Sequence, residues 1–392
     1  MSRSIGIICY PTQGGSGIVA TELGLELAAR DHQVHFISYR KPFRLDRLYP
    51  NTHFHQVEIS EYPLFEYPPY SLALTSKIVD VATRFGLDLV HAHYAIPHAA
   101  SAWMASLMLP GGLPVVSTLH GTDITLVGQD PGYLPVTRFT LGNCQALTAV
   151  SDFLVEETRR VFGRELAVRR IHNFVDTAEF RPKRNEELRA CYATPGERIL
   201  LHVSNFRPVK RVPDVVSIFA RLAAHHPLRL VLAGLGPERN AAKEQVAALG
   251  LAERVHFIGN QESMVDLMSM ADLYLLPSQT ESFGLSALEA MSCGVPVLAS
   301  RVGGLPELVE DGVNSVLCPL GDVDAFVERG LELLEDPACY QRMAAAARAT
   351  AEERFTIARI LPQYLAVYDE VLANRTPRRE TWGAAKTDGS AA

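Results

Sequence analysis

IGIICYPTQGGSGIVATELGLELAARDH (residues 5–32) opens with an apolar run of strand length, passes through a glycine cluster and enters a helical pattern. Gly14, Gly15 and Gly17 fall within four positions. Glycines between a buried strand and a helix let the chain turn sharply, and no Cβ shields the peptide N–H groups there. The helix N-terminus adds partial positive charge, so an anion is a natural guest. A tight strand-to-helix turn with no ligand accounts for the same residues. GGSG lacks the third glycine of the dinucleotide fingerprint at its expected offset, and no Lys-Ser or Lys-Thr follows to make a nucleoside-triphosphate loop.

The same grammar repeats along the chain. VHFISY (34–39), LVHAHYA (89–95), VVSTLHG (115–121) and ALTAVS (146–151) are short apolar runs, the last followed by the amphipathic FLVEETRRVFG (153–163). After about Phe174 the pattern restarts with ILLHVSNF (199–206), PDVVSIFARLAAHH (213–226), RLVLAGLG (229–236), VHFIGN (255–260), DLYLLPS (272–278) and VPVLASRVGG (295–304). Strands apolar on both faces, alternating with helices, predict α/β architecture with doubly wound parallel sheets. Two such domains are expected, spanning 1–172 and 173–355. The linking stretch from Asn173 to Arg198 is polar and carries two prolines, as a hinge region does. The helical segment over about 356–373 is expected to cross back onto the first domain. The tail 374–392 loses periodicity and is expected to be mobile. The stretch from Pro42 to Lys77, rich in proline and aromatic residues, reads either as a loop near a ligand or as plain packing.

Bulk properties exclude several classes of function. At 392 residues the chain exceeds one typical core. Its 47% hydrophobic and 21% charged residues, with a net charge of −7, describe an ordinary globular protein without the basic surplus that nucleic acid requires. No apolar stretch is long enough to span a bilayer. MSRSIGIICY enters a strand without a cleavable signal pattern, so a cytoplasmic location is expected. The six cysteines contain no CxxC pair, which points to free thiols and away from zinc.

In open α/β sheets ligands gather beyond the carboxyl ends of the strands. Residues just after each strand are therefore taken together. They include Gly14 to Gly17, then Tyr94 and His98, then His120 to Asp123, then Asp152. In the second half, RPVKR offers Arg207 and Lys210, two cations suited to neighbouring phosphates, unless they are only surface charge. In TESFGLSALEA, the residues Ser282, Phe283, Gly284 and Leu285 lie where a helix would start, and peptide N–H groups there can hold a diphosphate. Glu281 and Glu289 flank them, as ligand contacts or as two solvated carboxylates on one helix. His91 and His93 share a strand face without a nearby carboxylate or Cys, which argues against a metal site.

The order GGSG, LHGTD, SNFRPVKR, AGLGPE and ESFGLSALEAMSCGVPVLASRVGGLPELV resembles the retaining, nucleotide-sugar-dependent glycosyltransferases of the family that includes sucrose synthases. The Glu-x7-Glu element from Glu281 to Glu289 is its most diagnostic part. The resemblance covers roughly residues 4 to 372 and implies a GT-B fold, two Rossmann-like domains facing a central cleft. It implies that Glu289 meets ribose hydroxyls, that Glu281 orients the transferred sugar, that His120 contacts that sugar, and that no metal or other cofactor is needed. Many relatives place a phosphate-binding arginine where Asn205 stands here, so Lys210 matches the motif while Arg207 is a displaced substitute. The favoured account for this family is front-face attack, with the departing phosphate oxygen taking the acceptor's proton and no covalent sugar on the enzyme.

A narrower likeness lies in CYPTQGGSGIVATELG, HFISYRKPFRL, YPLFEYPPYSLALTSK, HAHYAIPHA and STLHGTDITLVGQDP, which are similar to the first enzymes of bacillithiol biosynthesis. It implies UDP-N-acetylglucosamine as donor and L-malate as acceptor. Two carboxylates and one hydroxyl ask for cations and hydroxyl donors. The expected acceptor contacts are the backbone of Gly15 to Gly17, the Ser16 hydroxyl, Arg44, Tyr94, Thr118 and Asn173, with Gly15 also near the donor phosphates. Three rivals remain at this stage: a transferase of the same fold using inositol phosphate, a UDP-N-acetylglucosamine epimerase, and a non-catalytic nucleotide-sugar-binding protein. The oligomeric state is left open, a homodimer included.

Overall fold

The computed structural model describes residues 2–12, 14–59, 66–183, 185–261 and 263–374. The tail beyond Asn374 and residues 60–65 of the proline-rich stretch lie outside the described residues, and so does their expected mobility or loop character. The chain divides into two compact units: Met1–Ala149 with Val155–Ile171 and Leu361–Ala392, and Val150–Leu154 with His172–Ile360.

The first unit is built on β1 (Ser4–Ile8), β2 (Gln33–Ser38), β3 (Thr52–Gln56), β4 (Leu89–His93), β5 (Val115–Leu119), β6 (Ala146–Ala149) and β7 (Val168–Arg170). Among the described residues these form a seven-stranded sheet in the order β3-β2-β1-β4-β5-β6-β7, parallel at every pairing. The strands LVHAH and VVSTL are buried along their whole length. That burial follows from their runs of β-branched and apolar residues, which favour a strand covered on both faces. Ile8 of β1 lies between Ile37 of β2 and Ala92 of β4. The strand order therefore reverses at the β1–β4 pair, and in open α/β sheets the carboxyl ends of such a pair are where ligands gather.

The helix Ile357–Ala373 belongs to this unit from Leu361 onward. Leu361, Tyr364, Tyr368 and Val371 are buried, and their spacing of three and four residues puts them on one helical face. Tyr368 does more than fill space. Its hydroxyl lies 2.7 Å from His91 Nδ1, while His91 Nε2 lies 2.7 Å from the Thr118 hydroxyl, which continues 2.6 Å to that of Thr148. Both nitrogens of a fully buried imidazole are satisfied in this way.

The second unit carries β8 (Arg198–Val203), β9 (Leu228–Ala233), β10 (Val255–Gly259), β11 (Leu273–Leu276), β12 (Val297–Ser300) and β13 (Val316–Cys318). Its parallel six-stranded sheet runs β10-β9-β8-β11-β12-β13, so its reversal falls between β8 and β11. Helix Val212–Leu222 buries Val212, Val215, Val216, Phe219 and Leu222. These residues pack with Leu200, Leu230, Leu273 and Leu298 of the strands in one core. Proline at the start of this helix costs no intrahelical hydrogen bond. All six cysteines are free. Among the described residues no helix is long and apolar enough to cross a membrane.

Tyr368→Phe is expected to keep the fold but to lower stability by about 1–3 kcal/mol, because it strands a buried His91 nitrogen without a partner. Urea unfolding followed by fluorescence checks this. An unchanged midpoint would show that His91 finds another partner.

Candidate functional site

The loops after β1, β4 and β5 make the polar end of the first unit. Helix Gly15–Ala28 starts directly behind the glycine cluster, with Gly14 as its extended N-cap. The three glycines are not equivalent. A Cβ on Gly17 would lie 2.6 Å from the Tyr10 carbonyl oxygen and 2.7 Å from that of Thr12, so packing alone requires glycine there. Gly14 and Gly15 are exposed and Ser16 is half-buried. The first-turn amides thus stay accessible, and packing demands no glycine at Gly14, where a Cβ would meet only an ordinary contact.

After β5 the chain turns through His120 and Gly121, within LHGTD (119–123). Asp123 organises that turn: Oδ1 accepts the amides of His120 at 3.1 Å and Gly121 at 2.9 Å, and Oδ2 accepts the amide of Ala95 at 3.0 Å. Burial raises the carboxyl of Asp123, and the three amides oppose that shift. Tyr94, the first residue after β4, is held at a φ of +90°. A tyrosine there is strained, and such strain gathers at functional positions. Its ring stacks on His120 at 5.6 Å between centroids and meets Tyr10 edge-on at 5.3 Å.

Four histidines surround this turn. Burial pushes His91 and His120 down to about 3 and His98 to about 4, and it carries His93 well below its ordinary value. All are neutral near pH 7. His120 therefore acts as a hydrogen-bonding group and not as a cation.

In the second unit the loop after β8 is shaped by His202. Its Nδ1 donates to the Leu275 carbonyl at 2.8 Å, which leaves Nε2 to accept from the Ser204 hydroxyl at 2.8 Å. Ser204 Oγ in turn accepts the Phe206 amide at 3.2 Å. Phe206 is buried with a φ of +40°, anchoring a sharp turn that lifts Asn205 into solvent. A single helical turn, Pro208–Lys210, follows. Its Val209 carbonyl accepts the Gln279 amide at 2.7 Å, joining this loop to the one after β11.

There Lys210 Nζ sits 2.6 Å from Glu281 Oε1, and the Ser278 hydroxyl donates to the same oxygen at 2.8 Å. Arg207 is half-buried and, among the described residues, forms no ion pair. One cation is compensated by a carboxylate and its neighbour is not. Gly284 precedes helix Leu285–Ser292, whose first-turn amides lack intrahelical acceptors. Glu289 is buried within that helix. Phe283 turns inward, against His172 at 5.5 Å and Phe355 at 5.5 Å, so only its backbone faces outward.

Gly303 holds the Glu281 loop in place. Its φ is +55°, and a Cβ there would lie 1.9 Å from the Glu281 carbonyl oxygen. The same carbonyl accepts the Gly304 amide at 2.9 Å.

Of the residues expected from sequence, the first unit holds Gly15, Ser16, Gly17, Arg44, Tyr94, Thr118 and His120, and the second holds Asn173, Asn205, Arg207, Lys210, Ser282 to Leu285, Glu281 and Glu289. Thr118 requires a correction. It is fully buried, and its hydroxyl is engaged between His91 and Thr148, so it supports the sheet and does not reach a ligand. Arg44 Nε lies 3.7 Å from Glu22 Oε1, which offsets its charge. Asn173 is buried, and its side-chain oxygen has no partner. Among the described residues no group of three His, Cys, Asp or Glu side chains is arranged to hold a metal ion.

Two families match the two halves. The model "Glycosyltransferase Family 4" matches residues 13–179, and "Glycosyl transferases group 1" matches 184–350. N-acetyl-alpha-D-glucosaminyl L-malate synthase of Bacillus anthracis is 43% identical over 373 residues, covering 95% of this chain and 98% of that protein. D-inositol 3-phosphate glycosyltransferase of Mycobacterium avium is 32% identical over 317 residues, covering 76% and 73%. Among solved structures, sucrose-phosphate synthase from Thermosynechococcus elongatus superposes with a TM-score of 0.77 at 25% identity, covering 95% of this chain and 99% of that one. An Anabaena protein solved with UDP and glucose gives a TM-score of 0.81 at 23% identity, covering 94% and 99%, and so speaks for the fold. The chain belongs to the group 1 glycosyltransferases and has the GT-B fold. It is an enzyme that transfers a sugar from a nucleotide sugar.

How two residues of the site are used was not legible in sequence. Asp123 stands among the residues taken together after VVSTL, but of its three amide bonds the one to Ala95 reaches 28 residues along the chain and is set only by folding. Glu307, in RVGGLPELV, accepts the amides of Asp152 at 2.9 Å and Phe153 at 3.0 Å, and His172 Nε2 at 2.9 Å. Burial raises its carboxyl, but those hydrogen bonds and the charge of His172 carry it below its ordinary value. No local pattern announces such a cap supplied from another helix.

The buried histidines make the protein acid-labile. His91, His98, His120 and His202 titrate at about 3 to 4 in the native state against 6.5 in an open chain. Between those values the unfolded chain binds protons that the native one refuses. Stability is therefore complete above about pH 6.5 and falls as pH drops toward 4, each group contributing up to about 1.4 kcal/mol per pH unit. Urea midpoints measured from neutral pH down to about pH 5 check this. A flat profile would contradict neutral burial.

Proposed function

We propose that the chain transfers N-acetylglucosamine from UDP-N-acetylglucosamine to the hydroxyl of L-malate with retention of anomeric configuration, the first step of bacillithiol biosynthesis, and that it does so without a metal ion. The observation that carries this reading is the 43% identity with the malate synthase of Bacillus anthracis, which spans 95% of this chain and 98% of that protein. Both halves of the chain take part in the match, including the first-unit segments that would select an acceptor.

The diphosphate leaving group gathers negative charge as the sugar–oxygen bond breaks, so fixed donors near it stabilise the transition state more than the ground state. In the second unit Arg207, Lys210 and the amides at the start of helix Leu285–Ser292 have the chemistry for this role. The ion pair with Glu281 keeps Lys210 oriented before substrate arrives, which limits reorganisation. Glu281 then orients the sugar and Glu289 the ribose. Asn205, exposed at the turn, lies where relatives place an arginine. In the first unit the amides of Gly15 to Gly17, Ser16, Arg44 and Tyr94 would meet the carboxylates of malate. Front-face attack leaves the acceptor's proton to the departing phosphate oxygen. A neutral His120 fits that account, since no protein base is asked for at its position.

The competing reading is an inositol phosphate acceptor, supported by the 32% identity with the mycobacterial enzyme. An acceptor phosphate calls for additional cations, and Arg44, the expected acceptor cation, already faces Glu22.

Incubation with UDP-N-acetylglucosamine should release UDP in the presence of L-malate and yield a glycoside of the corresponding mass, and excess EDTA should not slow it. Turnover with inositol phosphate and none with malate would overturn the acceptor, while loss of activity in EDTA would overturn the metal-free mechanism. Lys210→Ala should lower kcat/KM by about 10²–10³, the usual weight of one electrostatic donor to a developing anion. An effect below about threefold would remove Lys210 from that role.

A further inference from the structure

We propose that His93 is a positioning residue that fixes the tautomer of His120, so that His120 presents Nδ1–H as a donor and keeps no lone pair free to take a proton. The kinetic consequence rests on the reading above; the tautomer itself does not.

His93 Nδ1 and His120 Nε2 stand 2.9 Å apart. A single hydrogen lies between them, so one nitrogen donates and the other accepts. Both rings are neutral, since burial disfavours their charged forms. Each therefore carries one hydrogen in total. The remaining nitrogen of His93, Nε2, is buried and has no hydrogen-bond partner.

Two assignments follow. If His120 Nε2 donates, His93 must carry its own hydrogen on Nε2, as an unpartnered N–H in the interior. If His93 Nδ1 donates, Nε2 is left only with an unused lone pair. Orphaned buried N–H groups are rarer than under-satisfied acceptors, which selects the second assignment. His120 Nε2 then accepts, and its hydrogen sits on Nδ1. His91 cannot relieve His93: its ring lies 4.3 Å away between centroids, but its nitrogens are taken by Tyr368 and Thr118.

The surroundings hold both rings. His98 Nδ1 donates to the His93 carbonyl at 2.6 Å, and the His120 amide donates to Asp123 Oδ1 at 3.1 Å. Tyr94 stacks on the His120 face. Among the described residues His120 Nδ1 has no protein partner. A neutral donor at that edge can bond an oxygen of the substrate but cannot accept the acceptor's proton, because Nε2 is already bonded.

The test is a long-range proton–nitrogen correlation spectrum of the ¹⁵N-histidine-labelled full chain near neutral pH, with His120 assigned by its loss in His120→Asn. Expected is a protonated Nδ1 and an unprotonated Nε2 on His120; the reverse pattern overturns the proposal. No substrate is needed, so a failure of the malate reading leaves this result standing. For function, His93→Asn retains an amide donor near the Nδ1 position, whereas His93→Leu removes it. The Leu variant should lose about tenfold in kcat/KM, the weight of one hydrogen bond, and show mixed His120 tautomers, while Asn stays within about threefold of the parent. Equal losses in both variants with an unchanged His120 spectrum in Leu would make His93 a packing residue only. If neither variant folds, the spectrum of the unmodified chain decides alone.

Discussion

A parallel sheet buried on both faces leaves chemistry a single outlet, the edge where strands end and loops begin. Both sheets obey this constraint. In the first unit the outlet lies beyond β1 and β4, and in the second beyond β8 and β11, the two pairs at which strand order reverses. The glycine turn, His120, Lys210 and Glu281 all stand at such edges. Their positions follow from the winding of the sheets before any ligand is considered.

The loops at these edges are held by hydrogen bonds from buried side chains more than by contacts among the functional groups. Asp123 gathers three amides, His202 directs Ser204 and the Phe206 turn, and the Gly303–Gly304 backbone closes on the Glu281 carbonyl. Each of these polar groups is costly to bury unless satisfied, and satisfied it specifies one geometry. The neutral histidines belong to the same logic. A buried imidazole with one hydrogen is a directional element, and its direction is set by whichever neighbour can use the other nitrogen.

Much of the fold was legible because apolar runs on both sides of glycine-rich turns have few solutions. The alternation from IGIICY to ALTAVS, restarted at ILLHVSNF, predicts two doubly wound sheets, and two are found. The motifs TESFGLSALEA and RPVKR were legible as charge and bare backbone after strands, and the structure places them in the loops after β11 and β8. Thr118 was taken for a hydroxyl donor to the acceptor, but it lies within β5, where its hydroxyl is used by the buried His91. Glu307 was not read at all, because its partners Asp152 and His172 are more than a hundred residues away.

By itself the sequence determined the periodicity of the elements and the placement of glycine and charge after each strand, and therefore the α/β class; the nucleotide-sugar chemistry came from the resemblance its motifs carry. Tertiary structure alone decided that packing demands glycine at Gly17 and not at Gly14, which hydroxyls are consumed within the core, and which nitrogen of His120 is free. The physical reason is that strand and helix formation depend on neighbours along the chain. Hydrogen-bond satisfaction in the interior depends on groups brought together only by folding, such as His93 with His120 and Tyr368 with His91.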